Sequence, residues 1–320
     1  MAIRTRAVWL VALLVLTGII GGCGRNDHGR SKVRLAYIPY SADLPFFVAM
    51  DNQMFERRNV QIEPIKCSST SEALDLVLGG KADGAMGNSF SVLYAVHAKD
   101  SNIIRLVNVS VEMREQDRYT GFVLVRSDSD IRTVQDLKGK AVGTGKGASQ
   151  LVWVQLYFKN MGWDPKKDVF IEQEAPESLL GALQSGQFDA VFAFEPYATV
   201  GVQKGIARPL VPFFRENIIN PFPAGGAVLS REFLSSRPED AKAVVDALDQ
   251  AIELINANPD QAKKSLVTYT PLSKDEAQHS QIYYWWGSHE MKLDPMQRLA
   301  DILLDANLLA SRIDVNAMVQ

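Results

Sequence analysis

One short segment combines residue types and spacing that suit the binding of a small anion. In TGKGAS, at Thr144–Ser149, two glycines let the backbone turn so that N–H groups point outward. A helix predicted at Ser149–Asn160 adds the partial positive charge of its N-terminus. This arrangement suits a sulfonate, carboxylate or nitrate group, although a plain helix cap is the commoner use of such a sequence. The contacts predicted from this segment are Lys146, Gly147, Ala148 and Ser149, with a solvated side chain as the alternative for Lys146.

A second polar segment, Ser68–Thr70, precedes a helix predicted at Ser71–Leu78 in the same way. Ser69 and Thr70 are predicted to donate hydroxyl groups to a ligand. Helix capping alone is the alternative for both residues.

Further candidates lie in loops that follow predicted strands. Pro39–Leu44 and Gly87–Phe90 come directly after apolar runs, and Tyr40 and Tyr197 each follow a strand end and a proline, which favours them as aromatic walls. The remaining predicted contacts are Tyr40, Asp43, Asn88, Ser89, Tyr119, Glu195 and Tyr197.

Glu195 restricts the choice of ligand. An ionised carboxylate about 5 Å from a bare anion costs roughly 3 kcal/mol at an effective dielectric constant near 20. Glu195 is therefore predicted either to pair with a cation such as Arg118 or to meet a ligand that carries an amine, for example an amino-pyrimidine.

These segments are positioned by a unit that occurs twice. Glu72–Phe90 and Ser178–Pro196 align, and each reads as an amphipathic helix, a glycine stop, an aspartate and a buried strand. The aligned pairs are Leu74 with Leu180, Gly80 with Gly186, and Asp83 with Asp189. With the strands and helices predicted upstream, each half becomes β-α-β-α-β.

This alternation predicts an α/β fold of two lobes, each with a mostly parallel sheet flanked by helices. Ligands of such sheets bind at the carboxyl ends of the strands, so six loops are expected to converge on a cleft that closes by a hinge. The six predicted loops are 39–44, 68–70, 87–90, 146–149, 174–177 and 194–197. The predicted boundaries are 32–118 with 223–320 for lobe 1, 123–217 for lobe 2, and hinges near 119–122 and 218–222. PFPAGG, which ends at Gly226, is predicted to break regular structure, and Tyr283–Trp286 is predicted to lie on a helix.

The N-terminus indicates export. Arg4 and Arg6 precede an apolar run at Ala7–Ile20, which is shorter than the ~20 residues that cross a bilayer core. The run ends in IGGC, which resembles a bacterial lipobox with Cys23 as the acylated residue. We therefore expect a signal peptide at 1–22 and a tether at 23–31, with an ordinary secretory signal as the alternative.

Composition narrows the function class. If the signal peptide is removed, 32 basic and 37 acidic residues remain, a formal charge of −5 that argues against nucleic acid as a partner. Cys67 is then left without a cysteine partner, so neither an internal disulfide nor a cysteine-based metal site is expected.

Four stretches resemble type II periplasmic substrate-binding proteins of ABC importers, in the branch that binds sulfonates, taurine, nitrate or thiamine-precursor pyrimidines. They are Val33–Glu63, Ser68–Asn88, Val134–Ser149 and Ala193–Thr199. The resemblance implies a monomeric, lipid-anchored binder in the periplasm or on the cell surface. It further implies a small-molecule ligand, an ABC permease as partner, and no cofactor or metal.

The ligand and the exact role stay open at this stage. A taurine-like or other sulfonate ranks first and an amino-pyrimidine second. A distant branch resembles pyrimidine synthases that use histidine and a cysteine-rich segment, but this chain has no cysteine cluster and no histidine in a predicted cleft loop. Its histidines are His28, His97, His279 and His289. A sensor that reports to a membrane receptor is the third alternative.

Overall fold

The computed structural model describes residues 31–176 and 178–319. The predicted signal peptide, the lipidation site Cys23 and nearly all of the tether lie outside the described residues. Within the described part, no helix has both the length and the apolar character needed to cross a membrane.

The described chain contains twelve strands and thirteen α-helices. The strands are β1 Ser31–Tyr37, β2 Val60–Lys66, β3 Gly84–Ser89, β4 Ile104–Leu106, β5 Val109–Glu112, β6 Gly121–Arg126, β7 Ala141–Gly145, β8 Phe170–Glu174, β9 Ala190–Phe194, β10 Ala207–Val211, β11 Phe222–Ser230 and β12 Tyr284–Trp286. The helices are α1 Leu44–Asp51, α2 Thr70–Leu78, α3 Phe90–Lys99, α4 Ala148–Asn160, α5 Leu179–Ser185, α6 Tyr197–Gln203, α7 Arg231–Ser236, α8 Pro238–Ala257, α9 Pro259–Ala262, α10 Lys264–Tyr269, α11 Lys274–His279, α12 Leu293–Asp305 and α13 Asn316–Val319.

The strands form two sheets. The first has the order β12-β5-β11-β3-β1-β2, with β4 paired to β11, and the second has the order β10-β6-β9-β7-β8. The predicted α/β class is confirmed, and both β-α-β-α-β units are present, as β1-α1-β2-α2-β3 and β7-α4-β8-α5-β9. Both sheets are mixed, whereas mostly parallel sheets were expected. Strands β6 and β11 enter their sheets after the chain has crossed over from the other sheet, and both run antiparallel to their neighbours.

The repeated aspartates have the same structural role in both sheets. Asp83 accepts a hydrogen bond from the backbone N–H of Arg34 at 2.8 Å, and Asp189 accepts one from the backbone N–H of Ala141 at 3.0 Å. Each aspartate therefore joins the start of one central strand to its parallel neighbour, β3 to β1 and β9 to β7. The glycine before each aspartate has a positive φ, 66° at Gly80 and 80° at Gly186, which ends the preceding helix.

Two predicted elements are wrong. PFPAGG does not break regular structure, because Phe222–Ser230 is a buried strand that pairs with both β3 and β5. Its register shifts at two points near Gly225 and Gly226, and these bulges absorb the irregular sequence. Tyr284–Trp286 is a strand paired with β5, and not a helix; its bulky aromatic side chains suit a pleated, buried surface.

The chain passes between the two sheets at residues 113–120 and 212–221. The first sheet takes its strands from residues 31–112 and 222–286, and the second takes its strands from residues 121–211. The lobe boundaries given above stay a prediction, although Phe122, which was placed in a hinge, lies inside β6.

Candidate functional site

A cavity of about 490 Å³ lies where the carboxyl ends of strands from both sheets meet. All six predicted loops contribute to its lining. Eleven of the thirteen predicted contacts line it: Tyr40, Ser69, Thr70, Asn88, Ser89, Lys146, Gly147, Ala148, Ser149, Glu195 and Tyr197. The structure brings these residues together, and their contact with a ligand stays a prediction.

Two predicted contacts do not line the cavity. Asp43 is 1% exposed and ends a 3-10 turn that directs its side chain under Gly87, toward the protein interior. Burial raises the pKa of this carboxyl well above its usual range, which favours its protonated form. Tyr119 stacks on Phe213, with ring centroids 5.7 Å apart, because it lies in the connection between the sheets.

The N-terminus of α4 is the strongest anion-binding feature. Gly147 is the N-cap and has φ 125°, a conformation that glycine adopts without strain. No side chain caps this end, and within the described residues the N–H groups of Ala148 and Ser149 have no hydrogen-bond acceptor. Since this helix end lines the cavity, it presents donors and partial positive charge to whatever enters.

The second helix end, that of α2, is already capped. Ser69 accepts a hydrogen bond from the N–H of Glu72 at 3.2 Å, and Ser68 donates its N–H and hydroxyl to the Glu72 carboxylate. These two donors lower the pKa of Glu72. Capping therefore accounts for Ser69, while Thr70 stays a candidate contact.

Aromatic side chains form much of the cavity wall. Tyr40 and Tyr197, which come from opposite sheets, meet edge to face with ring centroids 6.3 Å apart. Sequence reasoning missed Trp153 and Phe192, and it left open which aromatic residue of the run 283–286 reaches the cleft; Tyr283 lines the cavity. Trp153 follows Ser149 by four residues on α4, so helical spacing was a usable indication that both face the cavity.

Glu195 is buried in the wall and its carboxylate is hydrogen-bonded. It accepts bonds from the N–H and hydroxyl of Thr199 at 3.1 and 2.8 Å, and from the N–H of Gln281 at 3.1 Å. Gln281 follows α11, so Glu195 links the second sheet to the C-terminal part of the chain. None of these bonds involves Arg118, so the predicted pairing with that residue is not observed. Burial is the largest influence on Glu195 and raises its pKa to about 7.

This raised pKa predicts a pH-dependent stability. The folded protein holds the Glu195 proton more tightly than the unfolded chain, whose pKa is near 4.5, so the stabilisation is complete below pH 4.5 and is lost as the pH rises through 7. This difference between the pKa values of the folded and unfolded states corresponds to about 3 kcal/mol of unfolding free energy. As the pH is raised from 4.5 to 8, the free energy of unfolding of the wild type should fall by about 3 kcal/mol relative to that of Glu195→Gln, which has no carboxyl group at this position. Urea unfolding of both proteins across this pH range provides the measurement. Parallel pH profiles of the two proteins would contradict this assignment.

Arg215 is the most important residue that sequence reasoning missed. It lines the cavity, yet it is only 3% exposed and forms a buried ion pair with Glu112, with Nε 2.8 Å from Oε2. Its guanidinium group lies 4.8 Å from the ring centroids of both Phe194 and Phe222. The sequence places Arg215 in a connection between the sheets, where no motif marks it.

Lys146 is two-thirds exposed, and its Nζ lies 3.9 Å from the Glu174 carboxylate, so the solvated interpretation fits it best. Charged cavity-lining side chains in the described part of the chain are thus Lys146, Glu195 and Arg215. Among the same described residues, no group of three His, Cys, Asp or Glu side chains is arranged to hold a metal ion.

Comparison with known proteins identifies a family, relatives in sequence and similar solved structures. A model of the NMT1-like family matches residues 26–268. The chain is 25% identical over 275 residues to the "Putative aliphatic sulfonates-binding protein" of Bacillus subtilis, covering 80% of this chain and 79% of that protein. It is 20% identical over 257 residues to the 4-amino-5-hydroxymethyl-2-methylpyrimidine phosphate synthase THI13 of Saccharomyces cerevisiae, covering 77% and 73%. The alkanesulfonate-binding protein SsuA of Xanthomonas axonopodis, solved with MOPS bound, superposes with a TM-score of 0.71 at 21% identity, covering 91% of this chain and 98% of SsuA.

Proposed function

The chain belongs to the NMT1-like family, and from that premise we propose that it is the solute-binding subunit of an ABC importer, with an organic sulfonate as its ligand. The observation that carries this proposal is the uncapped N-terminus of α4, which opens into a cavity walled by both sheets. Two relatives named above for sulfonates support the same ligand class. Lobes that hinge at the two connections would close around the guest.

The cavity favours an organic anion over an inorganic one. At about 490 Å³ it exceeds what nitrate or bicarbonate needs, and its aromatic walls suit an alkyl or aryl group. The raised pKa of Glu195 relieves the repulsion expected from a fully ionised carboxylate. Sulfonate oxygens would accept hydrogen bonds from the α4 N-terminus, with the Ser149 hydroxyl as a further donor.

An amino-pyrimidine is the second candidate, because Glu195 places a hydrogen-bond acceptor on the cavity wall. Its oxygens already accept from Thr199 and Gln281, which leaves fewer lone pairs for a ligand amine. The sulfonate therefore ranks first.

The proposal is tested by calorimetric titration of the purified protein. The panel contains 1-propanesulfonate, benzenesulfonate, taurine, nitrate, bicarbonate and 4-amino-5-hydroxymethyl-2-methylpyrimidine. We expect micromolar binding of at least one sulfonate, which needs about −8 kcal/mol. Four or five charge-assisted hydrogen bonds of roughly 1.5–3 kcal/mol each exceed that value before the costs of association. Binding of the pyrimidine with no binding of any sulfonate would reverse the ranking.

Removing one N–H donor of α4 gives a sharper test. Ala148 is the first residue of the helix, a position where proline is well tolerated because no helical hydrogen bond is lost. Ala148→Pro is expected to weaken sulfonate binding about tenfold, since one charge-assisted hydrogen bond disappears. Lys274→Pro makes the same change at the first residue of α11, outside the cavity lining, and should leave the affinity unchanged. Equal affinities of all three proteins would remove α4 from the proposed site.

The remaining parts of the proposal concern location and partners. We infer a monomer anchored through lipid on Cys23, in the periplasm or at the cell surface, that delivers ligand to a membrane permease. Genes for a permease and an ATPase beside this one would support an importer over a receptor-linked sensor.

A further inference from the structure

Arg215 lies in a connection between the two sheets and lines the cavity. Its ion-pair partner Glu112 is the last residue of β5, in the first sheet, and Glu112 also accepts hydrogen bonds from the N–H and hydroxyl of Thr120 at 2.7 and 2.8 Å. The ring centroids of Phe194, at the end of β9, and of Phe222, at the start of β11, each lie 4.8 Å from the guanidinium carbon. One cation therefore contacts both sheets and both connections.

The hydrogen-bond donors of this guanidinium group are not all used. Nε donates to Glu112, and Nη2 donates to Glu112, to Thr120 Oγ1 at 3.1 Å and to the Tyr283 hydroxyl at 3.5 Å. In the described part of the chain, Nη1 has no acceptor, and the side chain keeps 4% of its surface exposed. Because Arg215 lines the cavity, we assign this exposed portion to the edge that carries Nη1.

The surroundings hold that edge in place. The two aromatic rings and the bidentate contact with Glu112 fix the plane of the guanidinium group, so Nη1 cannot turn toward another partner. A donor that is rigid before the ligand arrives loses little conformational freedom on binding. The site is therefore built for an acceptor atom on the ligand.

We propose that Nη1 of Arg215 donates a hydrogen bond to an uncharged acceptor on the ligand, such as a carbonyl or ether oxygen or a ring nitrogen, at a point away from the sulfonate. Glu112 already neutralises the guanidinium charge, and Glu195 lines the same cavity. A second anionic group on the ligand would therefore lose its hydration without a net positive charge to offset that cost, whereas a neutral acceptor has less hydration to lose. This inference rests on the proposed function and narrows its ligand to sulfonates that carry such an acceptor.

Matched ligands test the inference on the unaltered protein. The first pair is 4-acetylbenzenesulfonate and 4-isopropylbenzenesulfonate, which differ in a carbonyl oxygen against a methyl group of similar size. The second pair, 5-oxohexane-1-sulfonate and 5-methylhexane-1-sulfonate, makes the same exchange on a flexible chain that adapts to the length of the cavity. In calorimetric titrations, the carbonyl member of at least one pair should have a Kd at least about tenfold lower than that of its methyl partner.

A double variant assigns that preference to Arg215. Glu112→Gln with Arg215→Gln removes both buried charges together, and circular dichroism verifies the fold. The preference should fall to less than about twofold, because the carbonyl members lose the hydrogen bond from Arg215 and the methyl members have none to lose. The control is Arg114→Gln with Glu216→Gln, an exposed pair that joins the same two connections outside the cavity lining and should keep the preference.

The possible results separate the two proposals. Equal affinities within both pairs would overturn the role of Arg215 and leave the sulfonate function standing, and so would a preference that survives the double variant. If no sulfonate of the panel or of either pair binds, the sulfonate function fails and this inference falls with it. If a sulfonate of the panel binds but neither pair does, the inference about Arg215 alone is overturned.

Discussion

Replacing Gly225 by alanine is expected to lower the free energy of unfolding by about 4 kcal/mol or more. A Cβ atom at this position would lie 1.7 Å from the carbonyl oxygen of Asn88, on the neighbouring strand β3. This oxygen belongs to the backbone, so no side-chain rotation relieves the collision, and β11 must separate from β3. Chemical denaturation of the purified variant, or its failure to accumulate in soluble form, provides the measurement.

The control for this substitution is Gly181→Ala. Gly181 lies in α5, and a Cβ atom there would have no neighbour within 4 Å. Alanine is favoured over glycine in a helix by about 1 kcal/mol, so this variant should be as stable as the wild type or slightly more stable. If Gly225→Ala is also tolerated, the close approach of β11 to the Asn88 carbonyl oxygen is wrong. Gly225 lines the cavity, so the close approach of β11 to β3 also forms part of the cavity wall.

Much of the fold was predictable because its main elements are local patterns. The repeated helix, glycine and aspartate unit identified both β-α-β-α-β halves, and the family match and the structural likeness to SsuA confirm the predicted resemblance. The two wrong elements depend on distant partners. PFPAGG forms a strand only because β3 and β5 supply hydrogen bonds on either side, and Tyr284–Trp286 does so because β5 pairs with it.

The candidate site was predictable where it depends on topology. Loops at the carboxyl ends of parallel strands must converge, and eleven predicted contacts do line one cavity. Side-chain direction was not predictable from position alone, which is why Asp43 turns into the core and Tyr119 stacks within a connection. Arg215 was missed because its importance depends on Glu112, more than a hundred residues earlier in the chain.

The pair formed by Glu112 and Arg215 gives the second large expected effect. Glu112→Gln and Arg215→Gln are each expected to lower the free energy of unfolding by about 3–5 kcal/mol, because each leaves one buried charge without its partner. The side chains are 0% and 4% exposed, so water cannot solvate the remaining charge. The double variant buries no uncompensated charge and should recover at least half of the loss. Urea denaturation of all four proteins completes the cycle.

The exposed pair formed by Arg114 and Glu216 calibrates this cycle. It joins the same two connections, but its side chains are 56% and 33% exposed, and such pairs contribute about 1 kcal/mol or less. Strictly additive losses at Glu112 and Arg215 would show that the two charges do not interact in the folded protein. The guanidinium group would then not be held for a ligand, because the fixed plane that presents Nη1 to the cavity depends on the bidentate contact with Glu112. A large coupling between the buried residues, beside a small one between the exposed residues, would instead establish the rigid donor on which the ligand prediction depends.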